Sequence, residues 1–390
     1  MLSTFLRNIC HTAVCLCVCL GISQAQVRYR VVPLPSSLGL PLITSHSLSN
    51  THVVVGSTGS PRQPFVWANG KVTILPTLGG TTGYGDQINN KNHVVGSTTL
   101  TGNSNLHATM WVGKQVINLD QFGGISSSGN LINNLDQVAG TYNPDGISAR
   151  AYFLTRAGWR NIGSLGGSYT YTFGINDSGM VTGQSDISNT PDPVFGFPNF
   201  HGYVWQNGVL TDFGSVFGDD FSIGEYMNSS GQIIGTSDLN GDMYAHSFLY
   251  DHGTITDLST LSGDQVSWGL GINNVGQMVG TSGLRDPDPL DGPPIYTELC
   301  PCHAVLWQNG KIYDLGKHVP SQYSLAWAVG ITDDGVILAK ALLPKSEYVL
   351  LVPTATDIPG DGVSATNSSS AYTGPRLLRR GRDRTIAPEW

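Results

Sequence analysis

The chain has 390 residues, of which 12% are charged and 49 are glycine, with a formal net charge of −8. This acidic balance argues against nucleic acid as a partner, since binding to phosphates depends on Lys and Arg. The glycine content, together with many Thr, Ser, Val and Asn residues, suits short strands joined by tight turns and leaves little material for helices. Composition therefore indicates an all-β protein.

The first 25 residues have the pattern of a secretory signal. Arg7 gives a positive start, Ala13–Ile22 is an apolar stretch too short to span a membrane, and small residues end at Ala25. No later segment reaches the length of a transmembrane helix. We predict a signal peptide at residues 1–25 and a secreted protein of the extracellular space or cell envelope, without a transmembrane segment.

A nine-residue pattern, Ile-Asn-x-x-Gly-x-Val-Val-Gly, dominates the rest of the chain. Successive copies start 40 to 59 residues apart, a period typical of repeat architectures. We number the copies repeat 1 to repeat 7; they start at Leu48, Ile88, Ile132, Ile175, Met227, Ile272 and Ile331.

Each repeat contains two hairpin signals. In repeat 6, Asn273–Gly276 predicts a tight turn between two short strands, and Gln308–Gly310 predicts a second turn between His303–Trp307 and Lys311–Leu315. Four antiparallel strands in about 45 residues are typical of a propeller blade.

The last repeat lacks one strand. It supplies Leu325–Ile331, Val336–Ala341 and Tyr348–Val352, and the missing fourth strand is available at Tyr29–Leu34. Pairing of the two ends would leave no open edge. The sequence thus predicts an all-β, seven-bladed β-propeller over residues 26–353, with four antiparallel strands per blade and a ring closed by the N-terminal strand.

The first strand of each repeat is predicted to be the innermost. Three residues before each motif stands a small residue, as expected where strands crowd a central axis. These residues are Ser45, Gly85, Gly129, Thr172, Gly224, Gly269 and Ala328.

Residues 354–390 lose the repeat pattern. They contain few apolar residues, a Ser-rich patch and five arginines, and we predict that this Ser/Arg-rich tail is disordered. The arginines could favour an anionic surface or form part of an ordinary flexible end.

The repeated segments resemble the bacterial extracellular HAF repeat family. The similarity rests on the nine-residue motif, on strands such as His303–Trp307, and on Leu-Gly-Gly segments such as Leu165–Gly167, and it covers residues 28 to 352. Repeats 1 and 3 depart from it, with Gln63 and Arg150 in place of the histidine. The resemblance implies an exported repeat protein and supplies no catalytic residues.

The repeated histidines invite a metal hypothesis, which repeat geometry opposes. Equivalent positions in successive blades spread around a ring, so they cannot converge on one ion. We expect structural histidines bonded to a neighbouring blade or loop at His107, His201, His246 and His303.

Departures from the repeat are better candidates for function, because the architecture does not require them. The connections between the second and third strands are enlarged in repeats 4 and 6, and they should emerge on one face of the ring, where propellers usually bind ligands. Tolerated insertion is the competing interpretation. The ligand-binding candidates are Asp186, Asp192, Phe197, Arg285, Asp288, Asp291 and Tyr296.

The segment Cys300–His303 leaves two alternatives open. Cys300, Cys302 and His303 could hold a soft metal such as copper or zinc. The oxidising conditions met by an exported chain instead favour a disulfide or unremarkable cysteines.

The overall interpretation is a non-catalytic binding or surface-interaction module whose ligand is a glycan, a peptide or an exported protein. We expect a monomer without cofactor, binding extracellular glycan or protein. The alternative is a carbohydrate-active hydrolase or lyase that uses carboxylates near the axis, Asp86 and Glu225, which precede two of the motifs.

Overall fold

The computed structural model describes residues 29–39, 41–102, 104–193, 196–240, 244–284, 302–354 and 363–364. Within these ranges the regular elements are 28 β-strands and two short 3-10 helices, Ser36–Leu38 and Leu315–His318. No helix in this part of the chain has the length and hydropathy needed to cross a membrane. The predicted signal peptide and most of the predicted tail lie outside the described residues.

Repeats 2 to 6 each form four antiparallel strands in chain order, as predicted. Repeat 2 contains β5 (Gly79–Ile88), β6 (His93–Leu100), β7 (Leu106–Val112) and β8 (Gln115–Asn118). Repeats 3 and 4 contain β9 (Ser126–Ile132), β10 (Val138–Asn143), β11 (Arg150–Thr155), β12 (Gly158–Asn161), β13 (Thr170–Ile175), β14 (Val181–Pro191), β15 (Pro198–Gln206) and β16 (Val209–Asp212). Repeats 5 and 6 contain β17 (Gly218–Met227), β18 (Ile233–Leu239), β19 (Ala245–Asp251), β20 (Thr254–Asp257), β21 (Val266–Ile272), β22 (Met278–Gly283), β23 (Cys302–Gln308) and β24 (Lys311–Asp314).

The two ends of the repeat array pair with each other. Repeat 7 supplies β25 (Ser324–Ile331), β26 (Ile337–Leu343) and β27 (Glu347–Pro353), and β1 (Tyr29–Pro33) runs antiparallel to β27. The resulting sheet has the order β1-β27-β26-β25. The predicted pairing of the N-terminal strand with the last strand of repeat 7 is therefore observed.

Repeat 1 departs from the prediction of four strands. Its sheet contains β2 (Val54–Thr58), β3 (Gln63–Ala68) and β4 (Lys71–Ile74), and the preceding segment pairs with β2 through isolated bridges at Leu42 and Leu48 instead of forming a strand. In that segment the Ser47 hydroxyl accepts a hydrogen bond from the Thr44 backbone N–H at 2.9 Å, so a local turn replaces part of the ladder.

Six sheets are formed within the described residues, rather than seven separate ones. Repeats 4 and 5 share one eight-stranded sheet because a single parallel bridge, Phe200 to Phe221, links β15 to β17. A short strand that the sequence analysis did not predict, β28 (Val363–Ser364), comes from the tail and pairs antiparallel with β24.

The core lies between neighbouring repeats. One cluster joins Val95 and Ala108 of repeat 2 to Ile132, Val138 and Tyr152 of repeat 3, all buried. Each repeat covers the apolar face of the next, so the core is buried between successive repeats.

The small residues before the motif serve this packing between repeats. A Cβ at Gly269 would lie 2.3 Å from Ile234 in the second strand of the preceding repeat, and a Cβ at Gly85 would lie 2.8 Å from Val55. Close approach to the preceding repeat, rather than crowding at an axis, requires these glycines.

A β-bulge interrupts the first strand of repeats 2 to 7 just before the motif. Asp86 in repeat 2 and Glu225 in repeat 5 are the extra residues at two of these bulges, since their neighbours on both sides are paired. A bulge re-aims the side chain of the extra residue.

Candidate functional site

The first Asn of the motif has two structural tasks. In Asn133, Oδ1 accepts the backbone N–H groups of Leu135 and Gln137, both at 3.0 Å, and so closes the motif turn. Its Nδ2 donates to the backbone carbonyl of Asn176, the equivalent residue of the next repeat, at 2.9 Å. The same donation to the next repeat is made by Asn89, Asn133, Asn176, Asn228 and Asn273, all 3–4% exposed.

The third motif residue, which follows that Asn, forms an outer ladder of hydrogen bonds. The backbone N–H of Asn90 donates to Asn134 Oδ1 at 2.9 Å, and that of Asn134 donates to Asp177 Oδ1 at 2.8 Å. The ladder also joins the last repeat to the first, because the backbone N–H of Asp333 donates to Asn50 Oδ1 at 2.9 Å.

The outer ladder has one gap within the described residues. Ser229 of repeat 5 stands where other repeats carry Asn or Asp, and its hydroxyl accepts no hydrogen bond from Asp177. The backbone N–H of Ser229 still donates to Asn274 Oδ1 at 2.8 Å. The short side chain of Ser229 therefore breaks the ladder between repeats 4 and 5.

The motif turns of all seven repeats surround one cavity of about 130 Å³. We call this end of the sheets the turn face and the opposite end, which carries the connections between second and third strands, the loop face. Gln87 and Tyr226, which directly precede two motifs, also line the cavity. The Tyr226 ring stacks on His46 with centroids 4.6 Å apart.

His46 links distant repeats below this cavity. Its Nε2 donates to the backbone carbonyl of Phe173, 127 residues away, and the Ser45 hydroxyl lies 3.2 Å from Nδ1. Burial lowers the pKa of His46 to about 4, so the ring is neutral at pH 7. This histidine was not among the residues predicted from the sequence to be functional, although it stands at a position where the other repeats carry unrelated residues.

Asp86 and Glu225 occupy equivalent bulge positions and both are half-buried. Burial raises the pKa of Asp86 to about 7, although a hydrogen bond from Ser128 at 3.3 Å acts to lower this pKa. Burial likewise raises the pKa of Glu225 to about 7, although a hydrogen bond from Trp268 Nε1 at 3.0 Å acts to lower it. Each carboxyl contacts the repeat that follows it, and each can exchange a proton near neutral pH.

The repeated histidines are held apart, each hydrogen-bonded to its own aspartate. In repeats 2, 4 and 5 the aspartate comes from the fourth strand of the same repeat or from the residues just after that strand. The distances from the histidine Nδ1 to the aspartate Oδ2 are 2.6, 2.9 and 3.1 Å. These pairs are His107–Asp120, His201–Asp212 and His246–Asp257. The expected structural role is observed, with the partner in the same repeat rather than in a neighbouring one.

In repeat 6, His303 uses a different partner. Its Nδ1 lies 3.3 Å from Asp264, which precedes β21, and hydrogen bonding to this carboxylate raises the pKa of His303. Cys302 is buried and disulfide-bonded. Cys300 lies outside the described residues, and a disulfide sulfur is not the thiolate that a soft metal requires. Within the described ranges no three His, Cys, Asp or Glu residues form a group able to hold a metal ion.

The enlarged connection of repeat 4 is a long hairpin on the loop face. β14 and β15 extend until Pro191 pairs with Pro198, and the Asp192 backbone N–H donates to the Phe197 carbonyl at 2.7 Å near the tip. Asp186 is buried lower in β14, where its backbone carbonyl accepts a hydrogen bond from the Gly167 N–H at 2.9 Å.

Aromatic contacts fasten this hairpin to the next repeat. The rings of Phe197 and Phe200 lie 5.4 and 4.8 Å from Phe221, which is in the first strand of repeat 5. The hairpin therefore leans over repeat 5. The candidates of the second long connection, Arg285, Asp288, Asp291 and Tyr296, lie outside the described residues.

Comparison with known proteins shows the fold and no closer relationship. No family model and no curated protein matches the chain. Among solved structures, virginiamycin B lyase from Staphylococcus aureus is similar with a TM-score of 0.50 and 11% identity, covering 85% of this chain and 100% of the lyase. An acylaminoacyl peptidase from Pyrococcus horikoshii is similar with a TM-score of 0.50 and 10% identity, covering 86% of this chain and 53% of the peptidase. At this level of identity the likeness concerns architecture alone, and the chain has an all-β fold of the β-propeller type.

Proposed function

We propose that this chain is a secreted β-propeller of the HAF repeat type that acts as a binding or surface-interaction module. Its ligand is a glycan, a peptide or another exported protein, held on the loop face. The proposal includes a ring of seven blades that the N-terminal strand closes.

Contacts between the first and last repeats support the closed ring. Besides the β1–β27 pairing, Asn50 Nδ2 donates to Asp333 at 2.8 Å, and His52 forms an ion pair with Asp334 at 2.9 Å. The single bridge at Phe200 and Phe221 accounts for the shared sheet of repeats 4 and 5, so the number of sheets is compatible with seven blades.

The observation that carries the binding function is the anchored hairpin of repeat 4. A tolerated insertion needs no regular structure, yet this one pairs again at Pro191 and Pro198 beyond an irregularity in the ladder, and it packs Phe197 and Phe200 on Phe221. Rigid elements that hold a variable loop on one face are the usual basis of a binding site. Asp192 and Phe197 at its tip are the described residues that we assign to ligand contact.

The alternative is a carbohydrate-active hydrolase or lyase, and the raised pKa values of two carboxyl groups favour it. Asp86 and Glu225 both have pKa values raised to about 7, as acid–base catalysis at neutral pH requires. The similar solved structures include a lyase and a peptidase, so this fold type is compatible with an enzymatic as well as a binding role.

A ligand screen followed by variants separates the two functions. Oligosaccharides and peptides are tested by thermal shift, where a ligand at about 100 times its Kd adds about 2.7 kcal/mol of stability. For a binder, shortening the hairpin between Asp186 and His201 to the length of the repeat 2 connection abolishes the shift, and Asp86→Asn with Glu225→Gln leaves it intact. For an enzyme, the carboxyl variants lose turnover of the ligand while they still bind it.

A control keeps the test specific. Val209→Ala changes an exposed apolar residue of repeat 4 on the opposite, turn face and should leave ligand binding unchanged. Equal loss of the shift in this variant and in the shortened hairpin would mean that the loop face does not carry the ligand.

A further inference from the structure

The outermost strands carry a repeated positive charge that the loop-face function does not use. Because neighbouring strands of each repeat are antiparallel, the turn between the third and fourth strands lies at the same end as the motif turn, on the turn face. One Lys or Arg stands at this turn, or at the start of the fourth strand, in five repeats. These residues are Lys311 in repeat 6, Arg30 in repeat 7, Lys71 in repeat 1, Lys114 in repeat 2 and Arg156 in repeat 3.

The five cations belong to consecutive repeats. Hydrogen bonds of the outer ladder connect repeat 6 to 7, 7 to 1, 1 to 2 and 2 to 3. Repeats 4 and 5 carry no unpaired cation at the same place: the turn of repeat 4 is Asn207–Gly208, and in repeat 5 His252 is paired with Asp251 at 2.6 Å. The cations therefore form one continuous arc along the rim of the turn face, which we call the basic rim.

The side chains of the basic rim are available to a partner. Arg30, Lys71, Lys114 and Arg156 are exposed and Lys311 is half-buried. Among the described residues, ion pairs of Lys involve Lys91, Lys317 and Lys345 instead, and none of the five rim cations has such a pair.

In the five repeats of the basic rim, the described carboxylates of the turn face lie in the motif turns, closer to its centre, and are already engaged; the carboxylate at the rim in repeat 5, Asp251, is paired with His252. Asp136 contacts Lys91 and His93, and Asp334 contacts His52. Both Asp333 oxygens accept amide hydrogen bonds from Asn274. The fourth strand lies about three strand spacings, roughly 14 Å, outside the first strand. Positive charge therefore dominates the outer part of this face.

The tail begins at the same rim. Ser364 pairs with Lys311, and the antiparallel register directs the chain from Val363 to Ser364 towards the turn face. The residues that follow include Arg376, Arg379, Arg380, Arg382 and Arg384, which lie outside the described residues.

We propose that the basic rim of repeats 6, 7, 1, 2 and 3 is a docking surface for a flat anionic layer of lipid headgroups. Lys311, Arg30 and Lys71 share one register position in the fourth strand, and Lys114 and Arg156 precede that position by one and two residues. A flat layer on the turn face can therefore contact all five long side chains together, whereas a linear polyanion would have to bend around the rim. Lys and Arg side chains near such a layer each contribute about 1 kcal/mol, or about a five-fold change in affinity. This surface is opposite to the loop face and independent of the ligand proposed for it.

The test compares two double variants with the same change of net charge. Lys71→Gln with Lys114→Gln removes two rim cations, and Lys317→Gln with Lys345→Gln removes two exposed cations from connections on the loop face. Binding of the full chain to phosphatidylcholine vesicles with about one third phosphatidylglycerol is measured by co-sedimentation at low and high salt. The rim variant should lose affinity about 25-fold, from two five-fold steps, and the loop-face variant should stay within about two-fold of the parent protein.

The remaining outcomes overturn the proposal. Absence of binding to these vesicles, equal binding to pure phosphatidylcholine, or equal losses in the two double variants would each refute it. A variant with the five tail arginines changed to Gln is measured in parallel; if it loses all binding while the rim variant keeps it, the tail alone binds the lipid. Salt-sensitive binding to sodium alginate without binding to vesicles would identify an acidic polysaccharide as the partner instead.

Discussion

The buried motif asparagine allows the two tasks of one side chain to be measured separately. Asn133→Ser should keep the turn closed, because Ser49 closes the motif turn of repeat 1 with its hydroxyl, which lies 3.3 Å from the backbone nitrogens of Thr51 and Val53. The variant loses the donation of Nδ2 to the next repeat. Asn133→Ala loses both tasks.

The magnitudes follow from the hydrogen bonds that each variant loses. Asn133→Ser removes two bonds from Nδ2, at 2.9 Å to Asn176 and 2.7 Å to Gln137, and should cost about 1–2 kcal/mol of unfolding free energy. Asn133→Ala removes in addition the two bonds accepted by Oδ1, so the total loss should reach about 2–5 kcal/mol.

Urea unfolding followed by far-UV circular dichroism measures these losses as shifts of the midpoint at constant slope. Asn134→Ala is the matched control, because this adjacent, more exposed side chain loses its donation to Asp177 at 3.0 Å and its acceptance from the Asn90 N–H at 2.9 Å, and the change should cost less than about 1 kcal/mol. The reasoning is refuted if Asn133→Ser costs as much as Asn133→Ala, since the hydroxyl would then not close the turn. It is also refuted if neither variant costs more than the control.

Three further predictions concern the inner strands and the turn face. Asp86 and Glu225 keep their protons in the folded state up to about pH 7, whereas their ordinary pKa values are 3.8 and 4.5. The free energy of unfolding should therefore fall as pH rises from about 4 to about 7. Asp86→Asn with Glu225→Gln should remove this pH dependence in thermal melts and add roughly 1–3 kcal/mol to the free energy of unfolding at pH 8. An unchanged slope would mean that the two carboxyls do not titrate there. Ser229→Asn should close the gap in the outer ladder by accepting the Asp177 backbone N–H and raise the free energy of unfolding by about 1 kcal/mol, and an unaltered urea midpoint would contradict this. Gly269→Ala should lower the free energy of unfolding by about 2 kcal/mol or more, because its Cβ would lie 2.3 Å from the Ile234 side chain of the preceding repeat. A urea midpoint equal to that of the parent protein would show that Ile234 can move aside without cost.

The repeat pattern was sufficient to predict the strands and the pairing of the chain ends, because turn chemistry and apolar alternation are local properties. Asn-Gly turns and period-two strands identified four strands in repeats 2 to 6, and the strand missing from repeat 7 pointed to Tyr29–Leu34. Repeat 1 did not follow, since its local side-chain hydrogen bond from the Thr44 N–H to Ser47 competes with the ladder.

The environment of the candidate residues could not be predicted in the same way. Asp86 and Glu225 were recognised as unusual residues of the first strands, yet their bulge positions and raised pKa values depend on how the repeats pack. The contact of Phe197 with Phe221 joins two repeats across a ladder, and spacing along the chain gives no sign of it.

The sequence by itself determined the repeat, its four strands and the two hairpins, because these depend on neighbours within about ten residues. Tertiary structure alone decided what the motif asparagines are bonded to, where His46 reaches, and that cations in five consecutive repeats form one arc. The physical reason is that each of these properties arises between repeats, where residues about 45 positions apart or more, including residues of the first and last repeats, come within hydrogen-bond distance.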